Sequence, residues 1–233
     1  MKAFLLAAGL GTRLRPLTDV VPKCLVEVGG RPMLDIWLDA LADAGVDDVL
    51  VNTHHLAGLV EQHVAARSGR PVVHLRHEPE LLGSAGTLVT HREFVAAEDM
   101  FLAINADTLT DVDLRQLVDV HRGSGALATL TVFSAARPSE CGIVEVSEGR
   151  MVGFVEKPAH PTSDLANAGI YAFSPAVLAE IPEPLPRDIG FDLLPRLVGS
   201  AAVYPLGTSV VLDIGTPAAL ERARDVWRSR ATA

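Results

Sequence analysis

The residues of this 233-residue chain that could do chemistry begin in a glycine-rich loop near its start. The stretch FLLAAGLGTRLRP, residues 4–16, passes from an apolar run into a loop that holds Thr12, Arg13 and Arg15. Backbone N–H groups in such a loop, together with arginine side chains, can cradle phosphate groups. The loop therefore predicts a site for a phosphorylated ligand directly after the first strand.

Three kinds of phosphate-binding loop could begin in this way. A P-loop requires Gly-x4-Gly-Lys-Ser/Thr, and the chain contains no such match. The dinucleotide fingerprint Gly-x-Gly-x-x-Gly fits Gly9 and Gly11, but Leu14 stands in place of the third glycine, which disfavours a nicotinamide-dependent oxidoreductase. The favoured interpretation is a loop that holds a nucleoside triphosphate through backbone amides and cationic side chains.

Lysine is scarce in this chain, which makes each lysine a candidate for a chemical role. Lys2, Lys23 and Lys157 are the only lysines among 20 basic residues, and arginine does not replace the compact lysine charge at a tight phosphate contact. Two aspartates, Asp107 and Asp213, each follow an apolar run that predicts a strand. Ligands of open α/β sheets gather at the carboxyl ends of strands, so both aspartates are candidate site residues.

The pattern of apolar residues predicts the elements that must position these side chains. Short apolar runs bounded by turn residues predict strands, and apolar residues at helical spacing predict helices between them. Their alternation favours an α/β fold with a Rossmann-like, mostly parallel mixed sheet and helices on both faces. Residues 142–156 predict a small β-hairpin appended to this sheet, with its turn at Glu148 and Gly149. We expect one domain, residues 1–233.

Composition excludes several classes of protein. Apolar residues make up 48% of the chain without any low-complexity tract, which is typical of an ordinary globular protein. The net charge of −9 argues against binding to nucleic acid or to an anionic membrane surface. The chain has no membrane-spanning segment and no signal-peptide pattern, and its two cysteines are far apart in sequence. A cytoplasmic location is therefore expected.

Six motifs in a fixed order resemble those of the sugar-1-phosphate nucleotidylyltransferases, also called NDP-sugar pyrophosphorylases. The motifs are LAAGLGTRLRPLT with VPKCLVEVGGRPML, EPELLGSAGTL, NADTLTDVDL, FVEKP, NAGIYAFSP and LDIGTP, and the resemblance spans residues 3–217. It implies a fold of the nucleotide-diphospho-sugar transferase type. It also implies transfer of a nucleotidyl group from an NTP to a sugar 1-phosphate, with release of pyrophosphate.

The residues of the PKCLVEVGGRPML, FVEKP and NAGIYAFSP motifs are most similar to the corresponding motifs of the guanylyltransferases that act on mannose or heptose 1-phosphates. GTP and a mannose- or heptose-type sugar are therefore favoured as substrates. A uridylyl- or thymidylyltransferase acting on another sugar or cyclitol phosphate stays open, as does a catalytically silent nucleotide-binding regulatory subunit. Many members of the family carry a C-terminal β-helix domain, whereas this chain is expected to be a minimal catalytic domain.

The resemblance also implies roles for individual residues. It assigns catalysis to Arg13, Lys23 and Asp107. It assigns nucleotide binding to Leu6, Ala8, Gly9, Gly11, Thr12, Arg13, Lys23, Gly83, Ser84 and Asn105. It assigns binding of the sugar phosphate to Gly142, Glu156, Lys157, Asn167 and Gly169. Asp107 and Asp213 would hold Mg²⁺, which prefers hard oxygen ligands. The implied partners are an NTP and a sugar 1-phosphate, without nucleic acid or membrane, and a homo-oligomer stays open.

Overall fold

The computed structural model describes residues 1–231 of the chain, and these form strands, α-helices and short 3₁₀ turns. The strands are β1 (Lys2–Leu6), β2 (Glu27–Val28), β3 (Arg31–Pro32), β4 (Asp48–Thr53), β5 (Val72–His77), β6 (Phe101–Asn105), β7 (Thr108–Thr110), β8 (Ala128–Ser134), β9 (Gly142–Ser147), β10 (Arg150–Glu156), β11 (Leu165–Phe173), β12 (Ala201–Pro205) and β13 (Val211–Asp213). The helices are α1 (Met33–Asp43), α2 (Ala57–Ala66), α3 (Ser84–Thr90), α4 (Leu114–Ser124) and α5 (Pro217–Ala231). None of these helices is long and apolar enough to cross a membrane.

A nine-stranded mixed sheet forms the centre of the described chain, in the order β5-β4-β1-β6-β11-β8-β12-β10-β9. Strands β5, β4, β1 and β6 are parallel, and β11 runs antiparallel to both β6 and β8. Strand β12 is parallel to β8, whereas β10 is antiparallel to β12 and β9. The predicted α/β fold with a mixed sheet is confirmed.

Helices cover both faces of the sheet. Both faces are apolar, because successive side chains of a strand point to opposite faces and nearly all residues of the central strands are apolar. In β1, Ala3 and Leu5 belong to one hydrophobic cluster, together with Leu38 of α1. Phe4, between them, belongs to a second cluster with Leu88 of α3. Each buried strand thus contributes to two cores, which explains its nearly unbroken apolar sequence.

The predicted hairpin consists of β9 and β10 and lies at the end of the sheet. Glu148 has φ +50° and Gly149 has φ +75°, the two positive values that a tight two-residue turn between antiparallel strands requires. Strand β10 pairs with β12 on its other side, and Ile143 of β9 also pairs with Ala166 of β11. The hairpin therefore curls back toward the centre of the sheet, and Glu156 ends β10.

A small two-stranded ladder outside the main sheet joins two distant parts of the chain. Strands β7 and β13 pair antiparallel, with Asp213 opposite Thr108. The N–H of Ile214 also donates a hydrogen bond to the carbonyl of Asp107 at 3.2 Å. The ladder thus holds Asp213 beside Asp107, at the carboxyl end of β6.

Candidate active site

A cleft of ≈ 370 Å³ opens at the carboxyl ends of β1, β4 and β6, where open α/β sheets bind ligands. Ten residues with a predicted site role line it: Leu6, Ala8, Gly9, Lys23, Gly83, Ser84, Asn105, Asp107, Glu156 and Asn167. The lining also includes residues for which the sequence predicts no role: Ala7, Cys24, Asn52, Glu78, Leu81, Ala106, Tyr171, Asp188, Ile189 and Gly190.

The other predicted site residues do not line the cleft, although several of them contact residues that do. The whole set consists of Gly11, Thr12, Arg13, Gly142, Lys157, Gly169 and Asp213. Asp213 Oδ1 lies 3.6 Å from Lys23 Nζ, and Arg13 reaches Asp213 at 3.6 Å. Lys157 Nζ lies 3.8 Å from Glu156 Oε1. The structure therefore brings the charged candidates together around one cleft.

The centre of this charged cluster is the ammonium group of Lys23. It donates a hydrogen bond of 2.6 Å to Asp107 Oδ2, and its side chain is only 10% exposed. The side chains of Asp107 and Asp213 are 43% and 57% exposed, so both carboxylates are accessible to a ligand at the edge of the cleft. A Cβ on Gly215 would lie 2.8 Å from Arg13 and Asp213, so glycine leaves space for this ion pair.

The two carboxylates suit a magnesium ion. Oxygen atoms of Asp107, in the turn between β6 and β7, and of Asp213, at the end of β13, approach the same ammonium group. Within residues 1–231 no group of three or more His, Cys, Asp or Glu side chains forms a complete protein cage for a metal. Mg²⁺ does not need such a cage, since it commonly takes one or two carboxylates and completes its shell with water and substrate phosphates.

The glycine-rich loop is fixed by contacts of its own backbone. Gly11 has φ +62°, and its carbonyl accepts hydrogen bonds from the N–H of Leu14 at 2.9 Å and the Thr18 hydroxyl at 2.7 Å. A Cβ at Gly11 would lie 2.8 Å from the Thr18 methyl carbon. The turn is therefore tight, and it directs Arg13, whose side chain is 65% exposed, toward Asp213.

A buried polar network fixes the backbone at the other end of the cleft. The N–H of Ala7 donates to Asn52 Oδ1 at 2.7 Å, and the Asn52 amide donates to Glu78 Oε1 at 2.9 Å. Glu78 is 3% exposed and also accepts from the Thr87 hydroxyl at 2.5 Å and the Leu82 N–H at 3.2 Å. Because both carboxylate oxygens are engaged, the network holds the strand end rigidly beside the cleft.

The segment after Pro182 packs directly on the motif around Gly83. Gly83 has φ +77°, and a Cβ there would lie 2.2 Å from the carbonyl oxygen of Arg187, so only glycine fits. The same carbonyl accepts hydrogen bonds from the N–H groups of Ala85 and Gly86 at 3.0 and 3.1 Å. This close approach brings residues 187–190 to the wall of the cleft.

Asp188 joins this segment to the nucleotide motif. Its Oδ2 accepts a hydrogen bond from the Ser84 hydroxyl at 2.8 Å, and the Ser84 oxygen accepts one from the N–H of Ile189 at 2.8 Å. Asp188 Oδ1 accepts from the N–H groups of Gly190 and Phe191 at 2.8 and 3.4 Å. One carboxylate therefore anchors the single helical turn Ile189–Leu193.

Glu156 lies between two glycines. A Cβ on Gly142 or Gly190 would lie 2.5 or 2.6 Å from Glu156 Oε2, so both positions leave room for the carboxylate. Burial raises the pKa of Glu156; the Lys157 ammonium opposes this shift and the Asp188 carboxylate adds to it. Glu156 is thus a desolvated hydrogen-bonding group that faces the cleft.

Asn167 is oriented by two neighbours on the same strand. Its amide donates to the Tyr171 hydroxyl at 2.7 Å, and its oxygen accepts from the N–H of Gly169 at 3.1 Å. Burial raises the pKa of Tyr171, so its hydroxyl stays protonated at neutral pH. A Cβ on Gly169 would lie 2.5 Å from the Asn105 amide, which accounts for glycine there.

The fold and the cleft agree with a comparison against known protein families. Residues 2–229 match the model of the nucleotidyl transferase family, so the chain belongs to this family. A second comparison, with curated proteins, finds relatives that are named as mannose-1-phosphate guanylyltransferases. One is a mannose-1-phosphate guanylyltransferase catalytic subunit beta of Drosophila pseudoobscura pseudoobscura, 37% identical over 221 residues, which cover 93% of this chain and 59% of the relative.

Other relatives carry similar names. The catalytic subunit beta of Danio rerio is 36% identical over 93% of this chain and 62% of its own length. A mannose-1-phosphate guanyltransferase of Schizosaccharomyces pombe is 34% identical, with 93% and 61% covered. The chain therefore spans about three fifths of the length of the curated relatives it matches.

Solved structures support the same fold. A Bacillus anthracis protein described as a glucose-1-phosphate thymidylyltransferase, crystallised with sucrose, superposes with a TM-score of 0.86 at 25% identity, covering 98% of this chain and 95% of that one. HddC from Yersinia pseudotuberculosis superposes with a TM-score of 0.81 at 22% identity, covering 97% and 99%. The likeness to HddC concerns the fold alone.

Proposed function

We propose that the chain transfers a nucleotidyl group from an NTP, with GTP favoured, to a sugar 1-phosphate, with a mannose- or heptose-type sugar favoured. The observation that carries this proposal is the cluster of Lys23, Asp107 and Asp213 at the edge of the cleft. Membership of the nucleotidyl transferase family and the guanylyltransferase names of the relatives support the reaction class and the choice of GTP.

In the proposed reaction, a phosphate oxygen of the sugar 1-phosphate attacks the α-phosphorus of the NTP. A phosphorus–oxygen bond forms there, the bond from the α-phosphorus to the oxygen bridging the β-phosphate breaks, and pyrophosphate leaves. Two polyanions must meet, so catalysis depends on positioning and on neutralising charge. Lys23 is suited to the α-phosphate because its ammonium is buried and held in place before substrate binds.

The remaining charged residues divide between the two substrates. Arg13, together with the loop backbone at Gly11 and Thr12, would hold the β- and γ-phosphates. Asp107 and Asp213 would hold Mg²⁺, which, when bound, neutralises phosphate charge and polarises the phosphate oxygens. Members of the family generally use a divalent metal, and the two exposed carboxylates support Mg²⁺ as that metal in this chain.

On the other side of the cleft, Glu156 and Lys157 would bind the sugar phosphate. The half-buried Glu156 carboxylate would accept hydrogen bonds from sugar hydroxyl groups, and the Lys157 ammonium would pair with the phosphate. Asn167 would line the same subsite, where the absence of a side chain at Gly142 leaves space for Glu156 and at Gly169 leaves space for Asn105. Leu6, Ala8, Gly9, Gly83, Ser84 and Asn105 would surround the nucleoside.

The test is pyrophosphate release with Mg²⁺ across GTP, UTP, dTTP and ATP, each combined with mannose, heptose, glucose and N-acetylmuramate 1-phosphates. GTP-dependent release with mannose or heptose 1-phosphate would establish the proposed reaction. Release with UTP or dTTP would instead favour the uridylyl- or thymidylyltransferase alternative. Nucleotide binding without release from any pair would instead favour a catalytically silent subunit.

A further inference from the structure

One aromatic ring at the rim of the cleft has no evident structural role. Phe191 is 59% exposed, and within the described residues it is the only aromatic side chain among the large exposed hydrophobic ones. It follows Gly190, which lines the cleft. A large ring that leaves most of its surface in water contributes little to the core, and a single exposed hydrophobic residue is not by itself a sign of a site, so the case for a role rests on what surrounds the ring.

The backbone that carries Phe191 is fixed in advance. The Asp188 carboxylate accepts a hydrogen bond from its N–H, and Ser84 holds the Asp188 carboxylate from the other side. The carbonyl of Arg187 is bound by two N–H groups of α3. The ring therefore sits on a rigid turn, and little ordering entropy is lost when a ligand packs on it.

The neighbours of the ring are the two residues proposed to bind the sugar phosphate. The Lys157 ammonium lies 5.8 Å from the ring centroid, within the range of a cation–π contact. A Cβ on Gly190, the residue before Phe191, would lie 2.6 Å from Glu156 Oε2. An anion-binding group, a hydroxyl-binding group and an apolar ring therefore border one small space.

These three groups match the three surfaces of a pyranose 1-phosphate. Its phosphate needs a cation, its hydroxyl rim needs acceptors, and the C–H groups on one face of the sugar ring are apolar and pack well on an aromatic side chain. We propose that the Phe191 ring forms the apolar wall on which the sugar ring of the acceptor packs. This inference rests on the proposed function, and it adds a residue that selects cyclic sugars.

The first test measures binding without turnover. Saturation-transfer NMR with mannose 1-phosphate should show saturated sugar-ring C–H protons in the wild-type protein and in Phe191→Tyr, and a clearly weaker signal from those protons in Phe191→Ala. Val155→Ala is the matched control, because Val155 is 56% exposed and precedes Glu156 in β10, so its side chain points to the opposite face of the strand.

The second test uses the pyrophosphate assay. Phe191→Ala should raise the KM for the sugar 1-phosphate by roughly five- to twentyfold, the size expected for one lost aromatic contact, and leave the KM for the NTP unchanged. Phe191→Tyr and Val155→Ala should stay within about twofold of the wild type for both substrates, below the effect of one lost contact.

Three outcomes would overturn the inference. They are an unchanged saturation signal in Phe191→Ala, no saturation in the wild type, and an equal rise of both KM values, which would indicate a general distortion of the cleft. Failure of the proposed function is a separate result, since it would appear as no pyrophosphate release by the wild type with any substrate pair, whatever the saturation signal.

Discussion

Replacing Asp107 by asparagine should cost the protein more stability than replacing Lys23 by methionine, although Lys23 is the more buried residue. In Asp107→Asn the Lys23 ammonium stays 10% exposed, and its nearest remaining charge is Asp213 at 3.6 Å. Asparagine keeps an oxygen that can accept from the ammonium but removes the opposite charge beside it, so the loss should be about 1–2 kcal/mol, a part of the roughly 1.5–3 kcal/mol that a hydrogen bond between charged groups contributes.

The methionine variant behaves differently because nothing charged remains buried. Its side chain is similar in length to lysine and fills the same space, while Asp107 and Asp213 are exposed enough to regain hydration. The expected loss is below about 1 kcal/mol, in the range of a solvent-exposed ion pair. Turnover should nevertheless fall by roughly a hundred- to a thousandfold, as when a preorganised charge-stabilising group is removed.

Urea unfolding followed by circular dichroism, with EDTA and without nucleotide, measures both free energies of unfolding, and the pyrophosphate assay measures turnover. Lys2→Met is the control, because Lys2 Nζ contacts Glu98 at 3.9 Å outside the cleft. Its turnover should match the wild type. If Lys23→Met lost as much stability as Asp107→Asn, the reasoning about the buried charge would be refuted, and if Lys23→Met kept wild-type turnover, the assignment of the ammonium to the α-phosphate would be refuted.

Three further predictions follow from the site. Asp213→Asn should lower turnover more than tenfold, roughly the loss of one charged contact, and raise the Mg²⁺ concentration needed for half-maximal rate; an unchanged Mg²⁺ titration would contradict the metal assignment. Burial raises the pKa of Glu156 above 4.5, so at pH values between the ordinary and the raised pKa the folded state holds more protons at this residue than the unfolded state. The stability of the wild type therefore falls as the pH rises from the ordinary glutamate pKa through the raised one. Urea unfolding should therefore find Glu156→Gln more stable than the wild type at neutral pH, and the gain should vanish below the ordinary glutamate pKa. Gly142→Ala should raise the KM for the sugar phosphate, because the added methyl would lie 2.5 Å from Glu156 Oε2, whereas Gly123→Ala meets no atom within 4 Å and should change neither KM nor turnover.

The sequence predicts the charged part of the site because its residues obey local rules. Asp107 comes shortly after β6, Asp213 ends β13, and Lys23 lies in a motif next to a glycine-rich loop. The convergence of the two carboxylates on one ammonium depends on the pairing of β7 with β13, which places Asp213 beside Asp107. The roles of these residues in catalysis remain predictions for the assays above.

Other cleft residues could not be predicted because their partners are distant in sequence. Asn52 and Glu78 form a satisfied buried pair only after β4 and the segment following β5 meet α3. Asp188 follows a proline-rich stretch with no hydrophobic periodicity, so no pattern marks it before Ser84 is packed against it. Strand β12 is hard to predict for a related reason, since a five-residue apolar run is ambiguous until β8 and β10 flank it.

The β7–β13 ladder has a consequence for how the protein is made. The ribosome releases Asp107 long before Asp213, and only the pairing of β13 with β7 brings the second carboxylate to the first. A nascent chain that stops short of β13 contains every strand of the main sheet but not the paired carboxylates. The proposed metal site is therefore among the last parts of the cleft to be completed during synthesis, together with the part of the core that Ile214, Leu220 and Ala223 supply.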